Sequence, residues 1–224
     1  MIELIPTADG SHSLLNSELN ETYHSRHGAL RESQHVFINH GLTFVMNHRT
    51  GQAIKILEVG FGTGLNALLV LKEILLTGRL VEYTTVEAFP ISETLVTQLN
   101  YPQLIAVPSS AHWFLQLHTV DWNKPIDLLP NFVFHKKKGK IQEMNFDNDH
   151  YDIVFFDAFA PDKQPEMWQM SVFKKVYAAM KAGGVFVTYC AKGQLKRDLK
   201  SLGLVVESLP GPPGKREMIR ATKL

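Results

Sequence analysis

From residue 54 onward, short apolar runs alternate with longer stretches of helical character. IKILEV (54–59) and VEYTTVEA (81–88) are apolar or β-branched, as buried strands are. NALLVLKEILL (66–76), between them, is apolar enough for a helix that packs on a sheet. This order predicts an α/β fold with a mostly parallel sheet and helices on both faces.

The second half of the chain continues the alternation and then changes it. YDIVFF (151–156) is a fully apolar strand candidate that ends just before Asp157, and residues 167–180 have the spacing of an amphipathic helix. LVVESLP (204–210) and REMIRATK (216–223) flank the turn sequence GPPGK. These last two segments predict a C-terminal antiparallel hairpin.

The first 50 residues are less regular. A polar stretch (17–33) precedes the apolar run HVFINHGLTFVM (35–46), which is a helix candidate. We therefore interpret residues 1–50 as an N-terminal appendage and residues 51–224 as the α/β domain.

Composition narrows the class of protein only moderately. Of 224 residues, 45% are apolar and 20% are charged, and the formal net charge is +1. Any anionic partner would therefore meet local basic patches. The single cysteine, Cys190, excludes an intrachain disulfide. With no visible signal peptide and no long apolar run, we expect a cytoplasmic protein without a membrane span.

The candidate chemistry begins in ILEVGFGTGLN (56–66), where a strand meets a helix. A nucleoside triphosphate loop would require a lysine that is missing here. A dinucleotide loop has glycine at its sixth position, where this chain has Leu65, so that alternative is weakened but stays open. S-adenosylmethionine lacks phosphate, and its amino acid end needs the close backbone approach that glycines allow. A tight turn without a ligand is a further alternative.

An acid at the end of the second strand supports a nucleoside ligand. Glu87 lies 23 residues past Gly64, the spacing of a carboxylate that binds ribose hydroxyls. A dinucleotide enzyme would use the same acid, so only the E-x-G-x-G-x-G order favours S-adenosylmethionine. Glu58, in the first strand, could hold the loop or, through water, the cofactor's ammonium group.

Longer motifs resemble a known family. LEVGFGTGLN (57–66), FFDAFAPDKQPEMW (155–168) and GPPGKREM (211–218) resemble the MnmC-like methyltransferases, and residues 21–38 are similar to the opening segment of that family. Its members form the methyltransferase part of a bifunctional tRNA-modifying enzyme or occur alone. The resemblance implies a Rossmann-like, S-adenosylmethionine-dependent methyltransferase fold for residues 51–224.

The resemblance also implies the reaction. It implies methyl transfer to the primary amine of 5-aminomethyl-2-thiouridine at the tRNA wobble position. In the bifunctional enzyme an oxidase domain makes that amine, and this chain ends at Leu224 without one. We therefore expect a separate FAD-dependent oxidase, or another source, to supply the aminomethyl group. A methyltransferase acting on another amine, and a nucleotide-binding oxidoreductase or binding module, are the alternatives.

The candidate catalytic residue is Asp157, both by its place after the fourth strand and by the resemblance. A primary alkylamine is mostly protonated at neutral pH, and a carboxylate there could orient it and accept its proton. Phe159, Pro161 and Trp168 could wall the acceptor site and stack on a flipped-out base, with helix packing as the alternative for Trp168.

The adenine contact departs from the family pattern. The family tends to have Gly-Asp after the third strand, whereas this chain has Gly139-Lys140. A lysine cannot accept a hydrogen bond from the adenine amino group. The backbone of Lys140 and Ile141, or the Gln142 and Glu143 side chains, would replace the acid. The cofactor-binding candidates are Glu58, Gly60, Phe61, Gly62, Thr63, Gly64, Asn66, Glu87, Ala88, Lys140, Ile141 and Asp157.

Three basic clusters could contact tRNA phosphates or simply form a solvated face. They are KKKGK (136–140), the lysines and arginine of 192–200, and Lys215 with Arg216. The resemblance to the family supports a functional role for Lys215 and Arg216 in particular. The ten histidines form no evident metal-ligand set. The resemblance also implies that Tyr23, His24, Ser25 and Glu32, in the N-terminal segment, close over the site.

Overall fold

The computed structural model describes residues 1–49 and 51–224. Two sheets lie in this part of the chain. The strands are β1 (Ile2–Pro6), β2 (His12–Asn16), β3 (Glu21–Thr22), β4 (Ile54–Val59), β5 (Val81–Glu87), β6 (Pro125–Leu129), β7 (Phe132–Lys138), β8 (Tyr151–Phe156), β9 (Met180–Thr188), β10 (Leu204–Pro210) and β11 (Glu217–Lys223).

The α-helices are α1 (Ala29–Ser33), α2 (Phe44–His48), α3 (Leu65–Thr77), α4 (Glu93–Gln98), α5 (Tyr101–Leu104), α6 (Ser110–Thr119), α7 (Met170–Ala179) and α8 (Gly193–Ser201). A π-helix (Gln34–Thr43) joins α1 to α2, and short 3₁₀ helices cover Ile141–Glu143 and Pro165–Trp168. None of the helices in the described ranges has the length and apolar character needed to cross a membrane.

The large sheet has the order β10-β11-β9-β8-β4-β5-β7-β6. Its five inner strands, from β9 to β7, pair in parallel, while β6 and the β10–β11 hairpin pair antiparallel. The predicted α/β fold, with its mostly parallel sheet and C-terminal antiparallel hairpin, is therefore confirmed. The small sheet, β1-β2-β3, belongs to the N-terminal segment.

Strand register brings the predicted site residues to one edge of the sheet. Val59 at the end of β4 pairs with Val86 of β5 on one side and with Phe156 of β8 on the other. The residues that follow, among them Gly60 and Asp157, therefore leave the sheet side by side. This is where ligands bind in open parallel sheets.

The apolar run of the N-terminal segment packs directly on the large sheet. It forms the π-helix rather than a regular α-helix, and Phe37 is buried with its ring centroid 5.3 Å from that of Phe155. A Cβ added at Gly41 would lie 2.9 Å from the Phe155 ring, so the helix approaches the sheet closely there. The domain boundary at residue 50 stays a prediction.

The first three lysines of the basic run KKKGK (136–140) belong to strand β7, which bears on the prediction that this cluster contacts tRNA phosphates or forms a solvated face. Lys136 follows Phe132 and Phe134 on the same face of β7, because side chains alternate along a strand. Its side chain is buried: Nζ donates a hydrogen bond to the His118 carbonyl (2.5 Å) and lies 4.5 Å from the Trp122 ring centroid. Lys136 is therefore not a phosphate contact.

Asp152 at the start of β8 is a buried anion that several elements share. Its carboxylate accepts hydrogen bonds from Arg49, from Lys181 (3.0 Å) and from the backbone N–H of Lys55 (2.8 Å). The Asp152 side chain is 3% exposed, whereas both cations are about one-third exposed. Asp152 therefore links the start of β8 to β4, to β9 and to Arg49, which precedes β4.

We expect Asp152→Ala to lower the free energy of unfolding by about 2–3 kcal/mol, because three hydrogen bonds to a buried charge are lost. The two cations would be partly solvated in the variant, which limits the loss. Urea denaturation measures it, with the exposed Asp127→Ala as the matched control. Equal unfolding midpoints for the two variants would contradict this account of Asp152.

Candidate functional site

A cavity of about 890 Å³ lies at the carboxyl ends of the parallel strands. Loops after β4, β5, β7, β8 and β9 form its floor, and the N-terminal segment covers it from above. Predicted residues that line it are Tyr23, His24, Ser25, Glu32, Gly60, Phe61, Gly62, Thr63, Asn66, Glu87, Ala88, Lys140, Ile141, Asp157, Phe159 and Lys215. Glu58 and Gly64 lie just behind this surface, and Pro161, Trp168 and Arg216 do not line it.

The glycine loop after β4 requires glycine for two reasons. Gly60 has a φ of +95°, and an added Cβ would lie 2.3 Å from the Asp157 carbonyl oxygen. The Gly62 N–H donates to Glu87 Oε2 (3.0 Å), while Glu87 Oε1 accepts from the Phe89 N–H (2.8 Å). The loop and the carboxylate at the end of β5 therefore hold each other in place.

Thr63 anchors the loop from below through residues that are remote in sequence. Its carbonyl accepts a hydrogen bond from His118 Nε2 (3.1 Å), and its hydroxyl accepts one from Tyr101 (3.3 Å) and lies 3.5 Å from His24 Nε2. Burial lowers the pKa of both histidines to about 4, so both are neutral at physiological pH. Sequence reasoning singled out His24 only through the resemblance and missed Tyr101 and His118.

Two carboxylates meet at a single amide beside the loop. Asn66 Nδ2 donates to Glu58 Oε1 (3.1 Å) and to Asp157 Oδ2 (2.9 Å). Asn66 lies at the start of α3, where the preceding Gly64 adopts a φ of +73° and directs the chain into the helix. Glu58 is fully buried in β4.

Burial raises the pKa of both carboxyl groups. It raises the pKa of Glu58 to about 8, with a further contribution from the charge of Asp157. It also raises the pKa of Asp157 to about 7, and the nearby charge of Glu32 acts in the same direction. Two close carboxylates that resist simultaneous ionisation can share a proton near neutral pH. Perturbed acids of this kind in a cavity are typical of functional sites.

The acceptor-side candidates separate into two groups. Phe159 lines the cavity, and its ring packs edge-on against Tyr23, with centroids 5.0 Å apart. Trp168 instead packs on Phe156 in the core and donates its Nε1–H to the Phe159 carbonyl (2.7 Å). Trp168 therefore packs in the core, in line with the alternative considered for it, and its hydrogen bond can position Phe159. Arg216 is exposed on the hairpin turn.

Residues after β7 form the wall where adenine was predicted to bind. Gly139, Lys140, Ile141, Gln142 and Glu143 all line the cavity there. The Gly139 N–H donates to the Glu87 carbonyl (2.9 Å), which fixes this wall to the end of β5. The structure thus brings the predicted ribose and adenine residues together.

The site fits a cofactor that carries an ammonium group and a ribose. Asn66 Oδ1 is a buried acceptor without a hydrogen-bond partner in the described part of the chain, whereas the buried Glu58 carboxyl faces the hydroxyl groups of Tyr83 and Thr85. A buried acceptor without a partner is costly, and an ammonium group bound nearby could satisfy it directly or through water. The Glu87 carboxylate is available for hydroxyl groups at the neighbouring strand end. The roles of the individual residues stay predictions.

Comparisons with known proteins place these features in a family. A family model described as an S-adenosyl-L-methionine-dependent methyltransferase matches residues 107–224. The chain is 31% identical to the "tRNA 5-methylaminomethyl-2-thiouridine biosynthesis bifunctional protein MnmC" of Marinomonas sp. (strain MWYL1), over 91% of this chain and 31% of the relative. The protein of that name from Leptospira borgpetersenii serovar Hardjo-bovis (strain JB197) is 30% identical, over 92% of this chain and 32% of the relative.

A solved structure agrees with the fold. The crystal structure of MNMC2 from Aquifex aeolicus superposes with a TM-score of 0.79 at 27% identity, over 99% of this chain and 70% of that chain. The predicted resemblance to MnmC-like methyltransferases is thus confirmed. This chain spans about a third of the length of the curated relatives that it matches.

The family match also indicates which cofactor this chain uses. S-adenosylmethionine, rather than a dinucleotide, is the cofactor of the matching family. The matched residues include Asp157 and the C-terminal hairpin, and the match extends over more than half of the chain. The chain belongs to this S-adenosyl-L-methionine-dependent methyltransferase family.

Proposed function

We propose that the chain methylates the primary amine of 5-aminomethyl-2-thiouridine at the wobble position of tRNA. One observation carries the chemistry: the Asp157 carboxylate lies at the cavity, beside the glycine loop, and Asn66 holds it there. The names of the curated relatives support the choice of acceptor. A cytoplasmic location and a separate FAD-dependent oxidase, or another source of the aminomethyl group, belong to the same proposal.

The cofactor would lie against the loops after β4, β5 and β7. Glu87 would accept hydrogen bonds from the ribose hydroxyls, and the backbone near Lys140 and Ile141 would contact adenine. Asn66 would contact the amino acid end through its unpartnered oxygen, and Glu58, behind the cavity surface, would hold the Asn66 side chain in place. When bound, S-adenosylmethionine supplies an electrophilic methyl group on a sulfonium.

Asp157 would prepare the amine for attack. An alkylammonium has a pKa near that of lysine, about 10.4, and must lose a proton to expose its lone pair. The raised pKa of Asp157 makes this carboxylate a stronger proton acceptor than an exposed aspartate. It would take the ammonium proton and later release it to water. The neutral amine would form the new carbon–nitrogen bond as the bond from the methyl carbon to sulfur breaks, with the sulfur leaving as a neutral thioether.

The acceptor half of the cavity lies under the N-terminal segment. Tyr23 and Phe159 present aromatic faces or edges there, and Asn16, Leu19 and Glu21 continue the wall. A base stacked on an aromatic ring gains about 1–3 kcal/mol. Pro161 and Arg216, outside the cavity lining, would contact parts of tRNA that lie beyond the wobble base.

We expect Glu87→Ala to weaken S-adenosylmethionine binding about tenfold to a hundredfold, because the ribose would lose hydrogen bonds to a charged acceptor. Calorimetry measures the dissociation constant. Glu82→Ala on the same strand is the matched control, since Glu82 pairs with Lys55 (3.0 Å) and does not line the cavity. Wild-type affinity in Glu87→Ala would exclude the ribose role of Glu87.

Transfer of a labelled methyl group tests the acceptor class. The purified protein would be incubated with labelled S-adenosylmethionine and tRNA that carries aminomethyl uridine, with the same tRNA lacking that group, and with polyamines. We expect label only in the first reaction. Labelled polyamine together with unlabelled tRNA would overturn the proposed acceptor and favour a small-molecule amine.

A further inference from the structure

An ion pair between a partly exposed lysine and a buried glutamate crosses the wall of the cavity near Asp157. Lys215, on the turn between β10 and β11, donates to Glu32 Oε1 of α1 (2.5 Å). The Glu32 side chain is 6% exposed, and its other oxygen accepts the Ser25 N–H (2.7 Å). The pair therefore joins the C-terminal hairpin to the N-terminal segment over the site.

The ion pair continues into the loop that bears Asp157. Lys215 Nζ lies 3.7 Å from the centroid of the Tyr189 ring, a cation–π contact. The Tyr189 hydroxyl donates to the carbonyl of Ala158 (2.8 Å), which is the next residue after Asp157. An unbroken chain of contacts thus runs from Ser25 to the backbone beside the carboxylate.

These contacts leave Lys215 poorly placed to serve a phosphate. Its ammonium group already has a carboxylate and an aromatic face as partners, and its side chain is about one-third exposed. Its neighbour Arg216 is exposed on the same turn and has the free approach that phosphate contacts need.

We propose that Glu32 and Lys215 are positioning residues that hold the Asp157 loop and set the electrostatic field at its carboxylate. This inference rests on the proposed function, because it gives Asp157 the role of proton acceptor there. Lys215 then acts through Asp157 rather than through tRNA phosphate.

Opposite effects of the two charges follow from this arrangement. The negative charge of Glu32 raises the pKa of Asp157, and the positive charge of Lys215 lowers it. Neutralising Glu32 alone should therefore lower the pKa of Asp157, and neutralising Lys215 alone should raise it. The titratable groups that face Asp157 from the surrounding elements are Glu32, Glu58, Tyr83, Tyr101, Tyr189 and Lys215.

Carbon-13 NMR of carboxyl-labelled aspartate measures this titration without turnover, and Asp157→Asn identifies the signal. We expect Glu32→Gln to lower the proton affinity of Asp157 about threefold to tenfold, and Lys215→Met to raise it by a similar factor. The ion pair Lys196–Glu217 on the neighbouring elements is the matched control. Lys196→Met and Glu217→Gln should leave the titration unchanged, and Lys215→Arg should keep it near wild type.

Two results would overturn the inference. One is a shift of the same sign, or no shift, in Glu32→Gln and Lys215→Met. The other is a salt dependence of tRNA binding that weakens by about one phosphate contact in Lys215→Met and not in Arg216→Met. Because the NMR titration needs no acceptor, a wild-type protein that fails to methylate tRNA would count against the proposed function alone.

Discussion

Asp157→Asn is expected to slow methyl transfer by about 10²- to 10⁴-fold, the range typical of a lost general base. The amide keeps the shape of the carboxylate, and its oxygen can still accept from Asn66. It cannot take a proton from the ammonium of the acceptor. Single-turnover kinetics measure the rate, and calorimetry should show S-adenosylmethionine affinity within about threefold of wild type. A rate within tenfold of wild type would exclude Asp157 as the proton acceptor.

The same carboxyl group predicts a pH dependence of the rate. Its pKa is raised to about 7, so Asp157 ionises only as the pH rises through that value. We expect kcat/KM to fall as the pH drops below about 7, because protonated Asp157 cannot accept another proton. Protonation of the acceptor amine would add to this fall, and Asp157→Asn would retain only that second component.

The raised pKa values also have a consequence for stability. An acid with a raised pKa binds more protons in the folded state than in the unfolded state between the two pKa values. Glu58 and Asp157 therefore lower the free energy of unfolding as the pH rises, while buried His24 and His118, whose pKa is lowered to about 4, raise it until about pH 6.5. The net decrease is expected above about pH 6.5, and the share of Asp157 is the difference between the wild type and Asp157→Asn from about pH 4 to about pH 8. The free energy of unfolding of Asp157→Asn should decrease less over this range than that of the wild type. If the two proteins showed the same dependence of unfolding free energy on pH, the raised pKa of Asp157 would be contradicted.

Gly60→Ala should have the second large effect, with loss of S-adenosylmethionine binding and a stability decrease of about 2 kcal/mol or more. The added Cβ would lie 2.3 Å from the Asp157 carbonyl, so either β4 or the Asp157 loop must shift. The φ of +95° adds strain for any residue with a side chain. Calorimetry and urea denaturation give the two quantities.

Gly78→Ala is the matched control for Gly60→Ala. Gly78 also has a positive φ, of +69°, but an added Cβ there would have no heavy atom within 4 Å. Only backbone strain, about 1 kcal/mol, is therefore expected, with cofactor affinity unchanged. If both variants lost the same stability and bound the cofactor equally well, close packing between the glycine loop and Asp157 would not matter.

Features encoded within one segment could be predicted from the sequence. β4, α3 and β5 lie within a residue or two of their expected bounds, and Glu87 stands where the acid after a second strand was expected. Parallel pairing then implies that Glu87, Gly60 and Asp157 meet at one edge. Local pattern and a rule of topology suffice for these elements.

Contacts between distant segments could not be predicted in this way. Tyr101 and His118 reach Thr63 across sequence separations of 38 and 55 residues, and no local pattern encodes those encounters. Lys215 lies in the motif GPPGKREM, but nothing in the sequence indicates that its side chain pairs with Glu32. Lys136 is different, because the alternation after Phe132 and Phe134 already placed it on the buried face.

The most direct test of the proposed function is mass spectrometry of wobble nucleosides after incubation of aminomethyl-bearing tRNA with the protein and methyl-labelled S-adenosylmethionine. The account predicts that 5-aminomethyl-2-thiouridine is converted to its labelled methylaminomethyl derivative by wild-type protein, and hardly at all by Asp157→Asn. Unchanged wobble nucleoside with wild-type protein, on a tRNA proven to carry the aminomethyl group, would contradict it.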